Sequence, residues 1–93
     1  MKVVINQCYG GFSLSKAAIK EYAKRTNKLE SEFYDRYIDR DDKDLVAIVE
    51  EMGEAANGSC ADLNVVEIPD GISWQIEEYD GYEHVAETHR TWP

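Results

Sequence analysis

The spacing of apolar positions changes several times along this chain, and each change predicts a different element. Val3-Val4-Ile5 is a short continuous apolar run that passes through Asn6-Gln7-Cys8-Tyr9 to the double glycine Gly10-Gly11, the pattern of a strand and a tight turn. From Ser13 or Ser15 to Thr26, the residues Leu14, Ala18, Ile19, Tyr22 and Ala23 form one apolar face, while Lys16, Lys20, Lys24 and Arg25 lie elsewhere. This predicts an amphipathic helix capped by either serine and stopped at Asn27. Residues 28 to 40 include Phe33, Tyr34, Tyr37 and Ile38, which fit a helical face and an aromatic edge strand equally well. That stretch is the expected place for a mobile contact to a ligand or a second subunit.

A second helix is marked by Asp41 or Asp42 as the cap and by Leu45, Ile48, Val49, Met52 and Ala56 at helical spacing, with Asn57-Gly58 closing it. Its other face carries Glu50, Glu51 and Glu54 and reads as solvated surface. Ala61 to Ile68 reads as a strand ended by Pro69-Asp70-Gly71. Ile72 to Tyr79 and Tyr82 to Thr88 flank Asp80-Gly81 and predict a hairpin with a two-residue type I′ turn. That turn sets the register: Tyr79 faces Tyr82, Glu78 faces Glu83, Glu77 faces His84, Ile76 faces Val85 and Trp74 faces Glu87. Trp74, Ile76 and Val85 share the face expected to meet the helices. Tyr79, Tyr82, Glu77 and His84 share the other.

These elements predict a single α+β domain over residues 1–93. Its sheet is an N-terminal strand joined to a C-terminal three-strand antiparallel meander, with two helices on one face. A chain of 93 residues buries only about 60 to 65% of its unfolded surface, so a homo-oligomer is expected to add stability.

Charge narrows the partners. Ten Lys and Arg against 19 Asp and Glu give a formal net charge of −9, and the resulting field opposes general nucleic-acid binding. A small anion can still be held where Arg and backbone N–H groups are focused locally. The only two cysteines, Cys8 in the first strand and Cys60 near the start of a later one, are too few for a secreted disulfide scaffold and read as reduced, buried small residues. The apolar run at Val3 to Ile5 is far short of the ~20 residues a bilayer demands. A cytoplasmic protein without membrane attachment is expected.

No motif specifies a reaction. Gly10-Gly11 lacks the lysine of a P-loop and the third glycine of a dinucleotide fingerprint. The pair either lets the chain reverse or, with Phe12 and Ser13 leading into a helix start, offers backbone donors to an anion. Charge and stacking must then come from Arg40, from the tail residues His89, Arg90 and Trp92, and from Trp74, Tyr79, Tyr82 and His84. The tail has an alternative use as a terminal strand that docks Trp92 into the core or onto a second subunit. Cys8 and the Glu77–His84 pair are the candidates for a nucleophile and a base, and read better as a strand residue and a surface ion pair. Neither a metal site nor a cofactor is expected.

The run Ile5-Asn6-Gln7-Cys8-Tyr9-Gly10-Gly11-Phe12-Ser13-Leu14-Ser15, with Arg40-Asp41-Asp42, Asn57-Gly58, Val66-Glu67-Ile68-Pro69-Asp70-Gly71 and the ending His89-Arg90-Thr91-Trp92, resembles a family of small proteins of tailed phages and prophages. The resemblance covers nearly the whole chain and brings no catalytic residues with it. It implies an accessory protein of the host cytoplasm that counters defence, by sequestering a small anionic nucleotide-derived ligand or, alternatively, by occluding a host protein as an acidic inhibitor. A small hydrolase is the third reading.

Overall fold

The computed structural model describes residues 1–88. Strand β1 (Lys2–Asn6) pairs antiparallel with β2 (Leu63–Glu67), with Val4 opposite Val65 and Asn6 opposite Leu63. Main-chain bonds extend the pairing at both ends, from Ile68 N–H to the Met1 carbonyl (2.8 Å) and from Gln7 N–H to the Asp62 carbonyl (2.8 Å). Val3, Val4 and Ile5 are all buried. A strand covered on both faces has no reason to alternate, which accounts for its continuous apolar run.

Helix α1 (Lys16–Thr26) begins at Ser15, whose hydroxyl accepts the Ala18 N–H, and ends at Asn27 in the left-handed conformation (φ 54°). Helix α2 (Lys43–Met52) begins at Asp42, whose carboxylate accepts the N–H groups of Asp44 and Leu45. It buries Leu45, Val46, Ile48 and Val49 and packs on β1 and β2, while α1 packs on α2. The α-helix stops at Gly53, so the buried Ala56 belongs to a following 3-10 turn, Gly53–Ala56, and not to the helical face expected for it. One cluster, including Val4, Phe12, Leu14, Tyr22, Leu45, Ile48 and Leu63, forms the core.

The ambiguous stretch is neither of the elements expected. It contains two one-turn 3-10 segments, Glu30–Glu32 and Asp35–Tyr37, and puts Ile38 into the core.

Strands β3 (Trp74–Tyr79) and β4 (Tyr82–Glu87) form the hairpin in the register expected from Asp80-Gly81, and both turn residues have positive φ (54° and 88°) as a type I′ turn requires. The meander does not form: among the described residues, β2 pairs with β1 and not with β3, which leaves two separate two-stranded sheets. The physical reason is that the hairpin is held on the other edge of β1, where the Asn6 N–H turned away from β2 donates to Glu83 of β4. The ammonium of Met1 binds both the Ile68 carbonyl (2.7 Å) and the Asp70 carboxylate (2.7 Å), which ties the Pro69-Asp70-Gly71 turn to the start of β1. The hairpin lies beside β1 through β4, and its Ile76 side chain faces the Gly10–Leu14 loop across a cleft and not the helices as expected.

Candidate functional site

One end of β1 is where three distant parts of the chain converge. Asn6 is fully buried, and its side-chain amide donates to the carbonyls of Cys8 (2.8 Å) and Gly81 (2.7 Å) while its amide oxygen accepts the Asp62 N–H (2.8 Å). The Asn6 backbone N–H, turned away from β2, donates to the Glu83 carboxylate (2.8 Å). Glu83 is only 5% exposed. A carboxylate so buried demands a counter-charge, and Arg40 supplies it with two nitrogens at 2.5 and 3.0 Å. The Arg40 guanidinium also lies over the ring of Phe12, 3.8 Å from its centroid, and its carbonyl accepts the Val4 N–H (2.8 Å). The free edge of β1 is thereby covered at Val4 and Asn6 by Arg40 and Glu83.

The glycines serve close packing of the chain on itself. A Cβ on Gly10 would stand 2.5 Å from the Cβ and the carbonyl oxygen of Cys60, and a Cβ on Gly81 would collide with the Gly11 nitrogen. The two turns thus touch backbone to backbone. Between this loop and the hairpin opens a cleft of about 830 Å³ lined by Gly10 to Leu14, Arg36, Arg40, Ser59, Ile76, Glu78 and Glu83. Among the described residues, Arg36 has no carboxylate partner. The helix start does not open directly on the glycines: Leu14 N–H is taken by the Asp35 carboxylate (2.9 Å), and Ser15 caps α1.

Of the residues expected to bind a ligand, Gly10, Gly11, Phe12, Ser13 and Arg40 line this cleft together. Trp74 is half-buried at the far end of β3, opposite Glu87, and lies outside the lining. Tyr79, Tyr82 and His84 alternate onto the other face of the hairpin, where Tyr82 stacks at a tilt on Tyr9 (5.3 Å) and His84 Nε2 meets Glu77 Oε1 at 3.0 Å in the open. His89, Arg90 and Trp92 lie outside the described residues.

Four polar lining residues were not among those expected to bind a ligand: Arg36, Ser59, Glu78 and Glu83. A signal for Glu83 was present, since strand alternation puts it on the same face as Ile76 and Val85. A carboxylate on an apolar face requires a partner.

The cysteines differ from expectation. Cys8 falls beyond the end of β1 and is half-buried, Cys60 is exposed in a turn at φ 62°, and both thiols are free. Among the described residues there is no cluster of three or more metal-ligating side chains, and no helix is long and apolar enough to cross a membrane.

The site and fold define a small α+β protein with an open cleft between a glycine loop and a β-hairpin. Comparison with protein-family models, curated proteins and solved structures yields no match to any of them.

Proposed function

We propose that the protein is a non-enzymatic binding protein of phage type that captures a small anionic, nucleotide-like ligand in the cleft between the Gly10–Leu14 loop and the hairpin. One observation carries the reading: a cleft of about 830 Å³, within the usual range for small-molecule sites, gathers loop backbone, two serine hydroxyls and two arginines, one of them without a partner among the described residues. Arg40 is already neutralised by Glu83, so Arg36 with Ser13 and Ser59 is the group that would hold a phosphate. Glu78, which lines the same cleft, is an acceptor suited to the amino and imino N–H groups of a base. The host cytoplasm and the anti-defence role follow from the sequence resemblance. A homo-oligomer belongs to the same proposal, with the exposed rings of Tyr9 and Tyr79 as available apolar surface.

The alternative, an acidic protein that occludes a host protein, draws less support from α2. Glu50 is paired with Lys2 and Glu51 with Arg25, which leaves Glu54 as the carboxylate of that face without a partner among the described residues. Calorimetry against cyclic nucleotides and ADP-ribose derivatives tests the proposal. Saturable binding that falls about tenfold or more in Arg36→Ala, with the ligand released intact on heating, is the expected result. Absence of nucleotide binding, together with capture of a host protein, would replace the proposal with the alternative. Recovery of a cleaved product would make the protein a hydrolase.

A further inference from the structure

A second pocket, of about 400 Å³, lies between the end of α1 and the 28–40 segment and shares no lining residue with the cleft. Its walls are aromatic and acidic. Tyr22 and Phe33 pack edge to face with centroids 5.0 Å apart, and Tyr34 and Tyr37 do the same at 6.0 Å and 89°. Asp39 and Asp42 stand among these rings.

The two ring pairs have different roles. Tyr22 is buried and Phe33 half-buried, and both pack with the core. Tyr34 and Tyr37 are 72% and 77% exposed, so core burial does not explain two adjacent tyrosines held in a T-shaped pair at a pocket mouth. The carboxylates divide in the same way. Asp42 caps α2 with one oxygen and accepts the Tyr22 hydroxyl (3.0 Å) with the other, whereas the Asp39 side chain has no partner among the described residues. Among the described residues, Lys28 is the one cation in the lining, against Glu32, Asp39 and Asp42.

We infer that this pocket binds an organic cation, a guanidinium or alkylammonium group, with its charge against Asp39 and its flat or methylene surface against Tyr34 and Tyr37. Aromatic faces attract such cations through their quadrupoles, and a nearby carboxylate adds a direct charge contact. A phosphate would meet three carboxylates here. Burial first, and then the adjacent Asp42, Asp44 and Asp39, push the Tyr22 phenol up to about 12, in keeping with the carboxylates gathered around this pocket. Two sources share the chemistry: a free small amine, and an Arg or Lys side chain of a partner protein.

NMR titration of the aromatic resonances of the full chain tests the inference, with N-acetyl-arginine methylamide, spermidine and a short Arg-containing peptide as probes and N-acetyl-lysine methylamide acetylated on Nζ as the neutral control. Saturable shifts at Tyr34 and Tyr37 are expected, with no response to the control. The affinity should fall about tenfold in each of Asp39→Asn and Tyr37→Ala and weaken with added salt. Both substituted side chains are exposed, so a far-UV spectrum like that of the parent is expected and confirms folding. Saturation by the single amino acid or by spermidine identifies a free amine as sufficient; a response to the peptide alone identifies a partner's side chain. Failure of all three cationic probes, or binding that both substitutions leave unchanged, overturns the inference.

Discussion

Arg40 holds Glu83 with two guanidinium nitrogens across 43 positions of sequence, and Glu83 in turn accepts the Asn6 backbone N–H. The pair is nearly sealed from water, with side-chain exposures of 15% and 6%. Removing one partner leaves the other charge buried without compensation, which costs about 3–5 kcal/mol in such settings. Glu83→Gln and Arg40→Met are each expected to fall in that range by urea denaturation. The double variant Arg40→Met with Glu83→Leu is expected to recover only part of the loss, because neither charge then remains but the buried Asn6 N–H has no acceptor.

Asn6 predicts a second effect that does not depend on charge. Substitution Asn6→Leu leaves the Asp62 N–H and the carbonyls of Cys8 and Gly81 without their partner. At about 1 kcal/mol for each bond, a loss of roughly 3 kcal/mol is expected, read as a lower urea midpoint with an unchanged slope.

Gly81 answers to two constraints at once. Its φ of 88° is in the left-handed region, and a Cβ there would strike the backbone of Gly11. Gly81→Ala is therefore expected to destabilise by about 1–3 kcal/mol, whereas Gly71→Ala, with a positive φ (81°) but open space around it, should show the smaller backbone effect alone. Thermal melts of the two variants side by side separate the collision from the strain.

Tyr22 makes stability fall in alkali. Its phenol, 4% exposed and hydrogen-bonded to Asp42, is raised from the ordinary 10.0 to about 12, by burial first and then by the neighbouring carboxylates. The folded state holds this proton more tightly than the unfolded chain does. The contribution is therefore complete below pH 10 and is lost between 10 and about 12, up to roughly 2–3 kcal/mol. Absorbance titration should show one of the six tyrosines ionising late. In Tyr22→Phe the part of the alkaline destabilisation over that window that belongs to this phenol should vanish.

Local signals were readable where one segment decides its own shape. Asp80-Gly81 defined the hairpin and its register, and the spacing of Leu45, Ile48, Val49 and Met52 defined α2, because turn chemistry and helical period are both contained in a few neighbouring residues. The partner of β2 was not readable. Consecutive strands pair by default, and nothing between Ala61 and Gly71 announces that Met1 holds Ile68 and Asp70. The segment around Phe33 and Tyr37 was ambiguous for a related reason: its aromatic residues satisfy contacts made elsewhere in the fold, not a local period. Half of the expected site was legible in the same way. Gly10 to Ser13 and Arg40 share a cleft, while Tyr79, Tyr82 and His84 stand on a face that strand alternation had already separated from Ile76. Arg36 carries no sequence signal that marks it out from other surface arginines.

Between β1 and β2 five residue pairs share a ladder, yet the β3–β4 hairpin is fastened to the same β1 by side chains, chiefly the Glu83 carboxylate and the Asn6 amide. A ladder opens one rung at a time, whereas a clasp of two side chains opens all at once. The hairpin's amides should therefore exchange with solvent through a release of the whole hairpin that leaves the β1–β2 ladder closed, and in Glu83→Gln they should still exchange faster than the amides of Val3 and Ile5, which wait for global unfolding.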